Sequence, residues 1–384
     1  MQHTDLLVAA EKLSAEFRGQ ADEIERQRRI PAEISEKMAK AGFYLQGAPA
    51  HAGGLEVPPT LSSQVIETLA QGDASCAWVA FIGSTSGTAL SGVSQVVAKE
   101  ILSKPDVLIT GVFAPNGRAE KVADGFNVTG RWQWGSGSQN ADWILGGCML
   151  FENGEPMLNK AGHPRNHMVI MPASEVEYID TWHVSGLCGS GSLDYQVTNL
   201  FVPHERVVGL SPRDAPKTPL YAFPNFALLA LGIGAVCMGI ARAAISELIQ
   251  LSTHKKRIGA RKTIGHKSTA QITLAEAEAK LRSARLFYYD ALEKAWECAQ
   301  IDLAVSMEQR RDLRLATTHA VMTCASVVDD MYNLAGGASV YRNSPLQRHF
   351  RDIHVATQHI MVAPSTLETI GSLLFGLDAN VTNL

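Results

Sequence analysis

Apolar positions at the start of the chain recur every three or four residues. Leu6, Ala10, Leu13 and Phe17 fall on one face of a helix, and the charged run "RGQADEIERQRR" follows them. Pro31 opens a second predicted helix with apolar positions Ile34 and Met38, and Gly42 stands where a C-terminal cap belongs. After the loop "GAPAHAGGLEVPPT" helical patterns resume near Leu61, Ala74 and Ser94, and Pro105 closes the block. The middle of the chain changes period. "VLITGVF", "AEKVA", "FNVTGRWQW", "WILGGCML", "HMVIM" and "LDYQVTNLFVP" are short runs rich in β-branched and aromatic residues, and Asp124-Gly125 reads as a hairpin turn between two of them. The pattern predicts a small antiparallel β-domain over Val107–Val208. From Asn225 long helices return, at about 225–256, 267–300, 305–334 and 344–361, with a last one to Phe375. Short breaks between them predict an antiparallel bundle. The predicted division is an N-terminal helical domain over 1–106, a β-domain over 107–210 and a C-terminal helical bundle over 211–384, with "SPRDAPKTPLYAFP" as the linker and no internal repeat.

The stretch "GRWQWGSGSQNADW", residues 130–143, concentrates the most unusual chemistry. In an extended strand, alternate side chains share a face, so Trp132, Trp134, Ser136 and Ser138 are expected to line up together. Such a face is either an aromatic strand running into a turn or a shelf for a flat ligand with polar edges; the spacing alone leaves both open.

Composition narrows the class. The chain has 384 residues and a net charge of −4, with no basic excess that would suggest nucleic acid. The six cysteines, Cys76, Cys148, Cys188, Cys237, Cys298 and Cys324, are scattered without metal-ligand spacing, which predicts reduced thiols in a cytoplasmic protein. The N-terminus carries acidic residues and lacks the apolar block of a secretory signal. The apolar run Phe226–Ala241 falls short of the roughly 18 residues of a membrane span, so a buried helix is expected rather than a membrane anchor. Gly189-Ser190-Gly191 lacks the third glycine of a dinucleotide fingerprint, and Gly232-Ile233-Gly234 lies inside a helix, so no nicotinamide site is expected.

Helices, then a β-domain, then a helical bundle is an uncommon order, and it resembles the acyl-CoA dehydrogenase fold over the whole chain. "GRWQWGSGSQNADWILGG" is similar to that family's flavin-contacting strand. "DTWHVSGLCGSGSLDYQVTNLFVPHERV" is similar to its W-x-x-x-G-x-x-G-x-x-S…VP segment, and "LAGGASVYRNSPLQRHFRD" to its G-G…P-x-x-R-x-x-RD segment. The chemistry departs from the dehydrogenases. The place of their catalytic Glu is Ile360 here, and the alternative place on the earlier helix is Arg257, so no carboxylate stands ready to take an α-proton from a thioester. Their T-E-P…G-S-D stretch is absent as well.

His359, in "RDIHVATQHIMV", and the W-x-x-GSG pattern resemble a second branch on this fold, the oxygenase components of two-component flavin monooxygenases. That branch acts on substrates such as 4-hydroxyphenylacetate, dibenzothiophene and indole-3-acetate. The resemblance implies reduced FAD or FMN as cofactor, delivered by a separate reductase, with molecular oxygen as co-substrate and a C4a-hydroperoxide as the oxygenating species. It implies that Ser136 bonds flavin N5, that Trp134 packs on the dimethylbenzene ring, and that His359 stands near C4a. Ser138, Ser190 and Ser192 are further flavin candidates, although the last two equally read as a tight glycine turn. Lys255 and Arg257, in a basic cluster with Lys256 and Arg261, are candidates for the flavin phosphate of a neighbouring subunit in a homotetramer. Cys188 stands where the family commonly has Arg. His354, five residues before His359, is expected to pack or lie at the surface. Trp78, Phe81, Thr85 and Trp132 are the candidate substrate-pocket residues. The early helix "ASCAWVAFIGSTSGTALSG" has no His to bind a phenolate, which directs the substrate expectation to electron-rich indole rings. The readings left open are an acyl-CoA dehydrogenase with a displaced base, an amino-sugar N-oxygenase, and a paralogue that binds no flavin.

Overall fold

The computed structural model describes residues 3–160, 162–209, 217–254, 263–382 and 384. Five helices come first: α1 (His3–Gln27), α2 (Ala32–Lys40), α3 (Pro59–Ala70), α4 (Ala74–Gly87) and α5 (Gln95–Ile101). Leu6, Ala10, Leu13 and Phe17 are buried as the helical period predicts. Pro59 sits in the first turn of α3, where its missing N–H has no intrahelical partner to lose. Asp73 caps α4 by accepting from Cys76 N at 2.9 Å.

The strands are β1 (Ile109–Val122), β2 (Gly125–Gly135), β3 (Trp143–Glu152), β4 (Glu155–Pro156), β5 (Asn166–Pro172), β6 (Glu177–Ile179), β7 (Leu193–Pro203) and β8 (Val207–Gly209). They form one sheet in the order β6-β7-β2-β1-β3-β5-β8, with β4 on β3. The predicted hairpin forms, closing Val122 against Gly125 with Asp124 at φ +62°. The sheet is not purely antiparallel, because β1 and β3 run parallel. β2 lies on one side of β1, and the chain then crosses the end of β1 through a 3-10 turn at Ser138–Asn140 to enter β3 on the other side. A strand that returns antiparallel to β2 is necessarily parallel to β1.

The C-terminal helices are α6 (Pro219–Ala222), α7 (Asn225–His254), α8 (Ser268–Asp302), α9 (Met307–Ala335), α10 (Pro345–Ala356) and α11 (Ser365–Leu374). A capping box opens α9, Ser306 accepting from Gln309 N while the Gln309 side chain accepts from Ser306 N. α7 is long and apolar enough to cross a bilayer, but 89% of its most apolar window is buried within the protein, where it packs on α3, α4, α9 and α10. The largest core draws on α1 to α4 and α7 to α10 together, so the two helical segments share one interior although the sheet separates them in sequence. α10 stops at Ala356, short of the predicted end at 361, and the chain turns there before a 3-10 turn at Ile360–Val362. That early stop sets the orientation of His359.

Candidate functional site

The four residues expected on one face of β2 do not share it. Trp132 is fully buried, donates from Nε1 to Gly147 O at 2.8 Å and stacks on Tyr195 at 5.3 Å between ring centroids. Its indole occupies space that a Cβ on Gly117, Gly130 or Gly146 would fill, at under 3 Å from the ring in each case. Trp132 is therefore a core residue of the sheet, and it lines neither of the two cavities described below among the described residues. The pairing of β2 with β7 shifts register between Trp132 and Gly135, and this irregularity turns Trp134 the other way. Trp134 is 69% exposed and adopts φ +65°. A bulky side chain in the left-handed region carries strain of about 1–3 kcal/mol, a conformation that persists at ligand-binding positions.

Beyond the irregularity, the chain brings three segments together at Ser136. Trp78, on α4, donates from Nε1 to Ser136 Oγ at 3.1 Å. Ser136 Oγ lies 2.7 Å from Ser192 Oγ, Ser192 Oγ lies 2.7 Å from Ser190 Oγ, and Ser190 Oγ donates to Leu187 O at 2.7 Å. The donor count sets the direction of this chain. The indole N–H only donates and the carbonyl only accepts. Ser190 spends its proton on Leu187 O, Ser192 spends its own on Ser190, and Ser136 spends its own on Ser192. Ser136 then holds one free lone pair and no free proton. Gly137 N donates to Ser190 O at 2.8 Å, locking the two serine segments together.

The turn that supplies Ser190 and Ser192 is itself held from α10. Asp352 accepts from Leu187 N at 2.6 Å, and Leu187 adopts φ +49°. Burial, then the nearby Asp73 carboxylate, pushes Asp352 up to about 7 against the pull of the Leu187 N–H bond and of Arg351 and Arg348. Arg351 and Arg348 pair with Glu25 of α1, and Arg351 also donates to Ser185 O. The RD pair thus joins α1, α10 and the serine turn. Cys188, in place of the family Arg, is half-buried, and its Sγ donates to Val184 O. Ser190 and Ser192 belong to a tight turn, and their hydroxyls continue the chain to Ser136.

His359 lies off any helix, contrary to the helical position predicted for it. Its Nδ1 accepts from Met361 N at 3.2 Å, which leaves Nε2 carrying the proton in the neutral ring. Burial, then the charge of Arg314, holds its pKa down at about 4. The half-buried ring is therefore neutral near neutral pH, with Nε2 as its hydrogen-bond donor. Its ring meets Trp78 edge-on, 6.0 Å between centroids. Trp78 therefore connects His359 to Ser136 and belongs to this cluster rather than to a pocket wall. His354 bonds Asp329 at 2.8 Å and packs on Phe350, as expected of a residue outside the site.

Phe81 and Thr85 line a cavity of about 30 Å³ between α3, α4 and α7, room for water but not for a ring. A larger cavity of about 430 Å³ opens beside Ile360 and Met361, with Arg314 in its wall and without His359 in its lining. Arg314 is the residue that sequence reasoning missed. The signal was present, since Arg314 precedes Thr317 and Val321 by three and seven residues and both are buried on the same helix face. Lys255 and Arg257 lie outside the described residues.

The residues at the end of β2 fit a flavin. A hydroxyl with a free lone pair suits the N–H at N5 of a reduced isoalloxazine, and an exposed strained indole stands two residues before it. Close by, Ser138 Oγ and Gln139 Oε1 in the following turn and Thr110 Oγ1 on β1 are buried with no hydrogen-bond partner among the described residues. Among the described residues, no group of His, Cys, Asp and Glu could hold a metal ion.

Helices, sheet and helices around such a cluster define the acyl-CoA dehydrogenase class, and comparison with known proteins agrees. The acyl-CoA dehydrogenase N-terminal domain family matches residues 4–101, and the acyl-CoA dehydrogenase C-terminal domain family matches 231–364. Within that class, an indole-3-acetate monooxygenase of Pseudomonas putida is 31% identical over 94% of this chain and 90% of its own length. The oxygenase subunit HsaA of a flavin-dependent monooxygenase from Rhodococcus jostii is 28% identical, over 98% of both chains. The crystal structure of the HsaA monooxygenase from M. tuberculosis superposes with a TM-score of 0.91 at 25% identity, covering 100% of both chains. The chain belongs to the family of flavin-dependent monooxygenases built on the acyl-CoA dehydrogenase fold.

Proposed function

We propose that this monooxygenase inserts one oxygen atom into an electron-rich aromatic ring of indole type, with Ser136 and His359 as its catalytic residues. Bound reduced flavin supplies the activation of molecular oxygen. The chain's own groups hold and shield that chemistry. Ser136 presents an acceptor to the N5 proton, and the serine relay keeps its hydroxyl from turning into a donor. Neutral His359 donates from Nε2 toward the reacting face, and Trp78 seals the space between the two. Trp134 packs against the flavin ring system from the solvent side, and Ser138 supplies a further polar contact. The directed chain from Trp78 to Leu187 is the observation that carries this reading.

Reduced flavin arrives from a separate reductase, because the sequence offers no nicotinamide fingerprint of its own. Exposed apolar side chains on α8 and α9, Leu286, Phe287 and Met322 among them, support assembly into a homotetramer. The six free cysteines support a cytoplasmic setting.

Stopped-flow mixing of the reduced-flavin protein with oxygen tests the reaction class. A persistent absorbance transient, discharged faster in the presence of indole-type substrates than of phenols or sulfides, is the expected result. Bleaching of oxidised flavin by an acyl-CoA, with no such transient, would instead establish the displaced-base dehydrogenase.

A further inference from the structure

The turn that ends the serine relay lies directly on the backbone of α10. A Cβ on Gly186 would come within 2.3 Å of Arg351 O and 2.7 Å of Asp352 N, so the two backbones touch. Leu187, the next residue, is buried and held at φ +49°, a region that a leucine leaves unless its surroundings fix it. Its carbonyl collects three donors, Ser190 N at 3.0 Å, Ser190 Oγ at 2.7 Å and Trp182 Nε1 at 3.2 Å. Its N–H goes to the Asp352 carboxylate at 2.6 Å. Asp352 is buried, and the two arginines of its own helix pair with α1, Arg351 with Glu25 and Arg348 with Glu25 and Asp22. Asp73 bears on Asp352 from the start of α4, and Cys188 feels its charge from the turn. The neighbouring His349 is held down at about 3, by burial first and then by Arg348 and Arg18, so it is neutral here. A carboxylate is costly to bury, and an asparagine would offer the Leu187 N–H an acceptor without that cost. What only a carboxylate adds is a charge-assisted bond, roughly twice as strong as a neutral one.

We propose that Asp352 is a positioning residue for the oxygenase: its ionised carboxylate holds Leu187 in the left-handed conformation, and the Leu187 carbonyl then anchors the relay that keeps Ser136 an acceptor. The inference rests on the oxygenase reading and deepens it by naming a remote group that governs the serine. Its consequence is a proton-dependent grip. Burial, then Asp73, sets Asp352 at about 7. Above that pH the carboxylate is charged and the grip is at full strength; below it the protonated group accepts only as a neutral one does, and the turn loosens. The sign for the whole fold is the opposite. Because the folded value lies above the ordinary 3.8, the stability that this group contributes is fully present below 3.8 and is lost as pH rises toward 7. A looser turn at pH 6 is therefore not a looser protein.

Two readouts test this: hydrogen–deuterium exchange of the segment around Leu187 in the flavin-free, full-length protein, corrected for the intrinsic pH dependence of exchange, and the lifetime of the oxygen transient. Protection of the segment is expected to fall by about threefold or more between pH 8 and pH 6, with the transient shortening in step. Asp352→Asn keeps an acceptor and removes the titration, so both readouts should stay flat at the wild-type level of pH 6. Asp352→Ala should shorten the transient by about tenfold or more at both pH values, and the asparagine variant should recover most of that loss. If the alanine variant fails to fold by circular dichroism, the flat profile of the asparagine variant carries the test. Wild-type protection that does not change with pH overturns the proposal, and so does an exchange step that survives in Asp352→Asn or vanishes in His359→Asn. An alanine variant with a normal transient and only a lower denaturation midpoint would assign Asp352 to the fold alone and overturn it as well. A missing transient alongside the expected exchange step would remove the oxygenase reading and leave the hold of Asp352 on the turn standing.

Discussion

The indole nitrogen of Trp78 donates to Ser136 Oγ at 3.1 Å, while the same ring meets His359 at 6.0 Å. One side chain from the N-terminal helices therefore bridges a serine of the sheet and a histidine of the closing helices, and all three parts of the chain contribute to a single cluster. Asp73 starts the helix that carries Trp78, and Asp352 holds the turn that ends the serine relay. Both aspartates are buried and spend their carboxylates on backbone N–H groups.

Ser136→Ala deletes the acceptor and leaves the Trp78 N–H buried without a partner, a penalty of about 1–3 kcal/mol. The expected outcome is an oxygen transient that decays about tenfold faster or more, read by stopped-flow absorbance, with the fold retained. An unchanged lifetime would remove Ser136 from the N5 contact.

Ser190→Ala tests the direction of the relay rather than a contact. Without Ser190, Ser192 loses its acceptor and is free to donate to Ser136, which then turns its own proton outward. The transient should shorten by about threefold to tenfold. Ser190→Thr, which keeps the hydroxyl, should restore it. Failure of the threonine variant to do better than alanine would leave the relay without support.

The pKa of His359 is held at about 4, below its ordinary value, so the ring is neutral above about pH 5. Raising pH from 5 to 8 should then move no proton on or off it. The expected pH profile of transient decay has no inflection near 6.5 that disappears in His359→Asn. Observation of that inflection would show a protonated, exposed imidazole. The sign for stability follows from the same shift: the unfolded chain takes up the proton that the folded ring refuses. This contribution is present above about 6.5 and is lost as pH falls toward 4.

Trp134→Gly should separate strain from binding. Glycine accepts φ +65° without penalty, so chemical denaturation should show equal or slightly greater stability, by up to about 1 kcal/mol. Reduced-flavin affinity should fall by about tenfold through the lost ring contact. A marked loss of stability would mean that the indole serves the fold.

Trp132→Ala should do the opposite. Removing a fully buried indole that fills the space over three glycines is expected to destabilise by about 3–5 kcal/mol in urea titration. Trp132→Phe should fold and leave the preference among substrates unchanged. A shift in that preference would bring Trp132 back to the pocket.

Much of this molecule was written in local pattern. The helical period of Leu6 to Phe17, the hairpin at Asp124-Gly125 and the order of helices, sheet and helices are short-range signals, and the backbone obeys them because each segment buries its own apolar face. The absence of a carboxylate at Ile360 and at Arg257 was likewise plain from residue identity. The sequence singled out Ser136 and His359 because residue type and spacing survive without coordinates. Tertiary structure alone decided where side chains point. A register shift in the pairing of β2 with β7 sent Trp132 inward and Trp134 outward, although alternation placed them together. The early end of α10 turned His359 onto Met361 N, and burial beside Arg314 kept its ring neutral. Trp78, Asp352 and Arg314 acquired their roles from partners 58, 165 and 88 positions away along the chain. No local period encodes contacts at such separations. They arise only when the packing of distant segments removes water and leaves each polar group to find whatever partner the fold brings beside it.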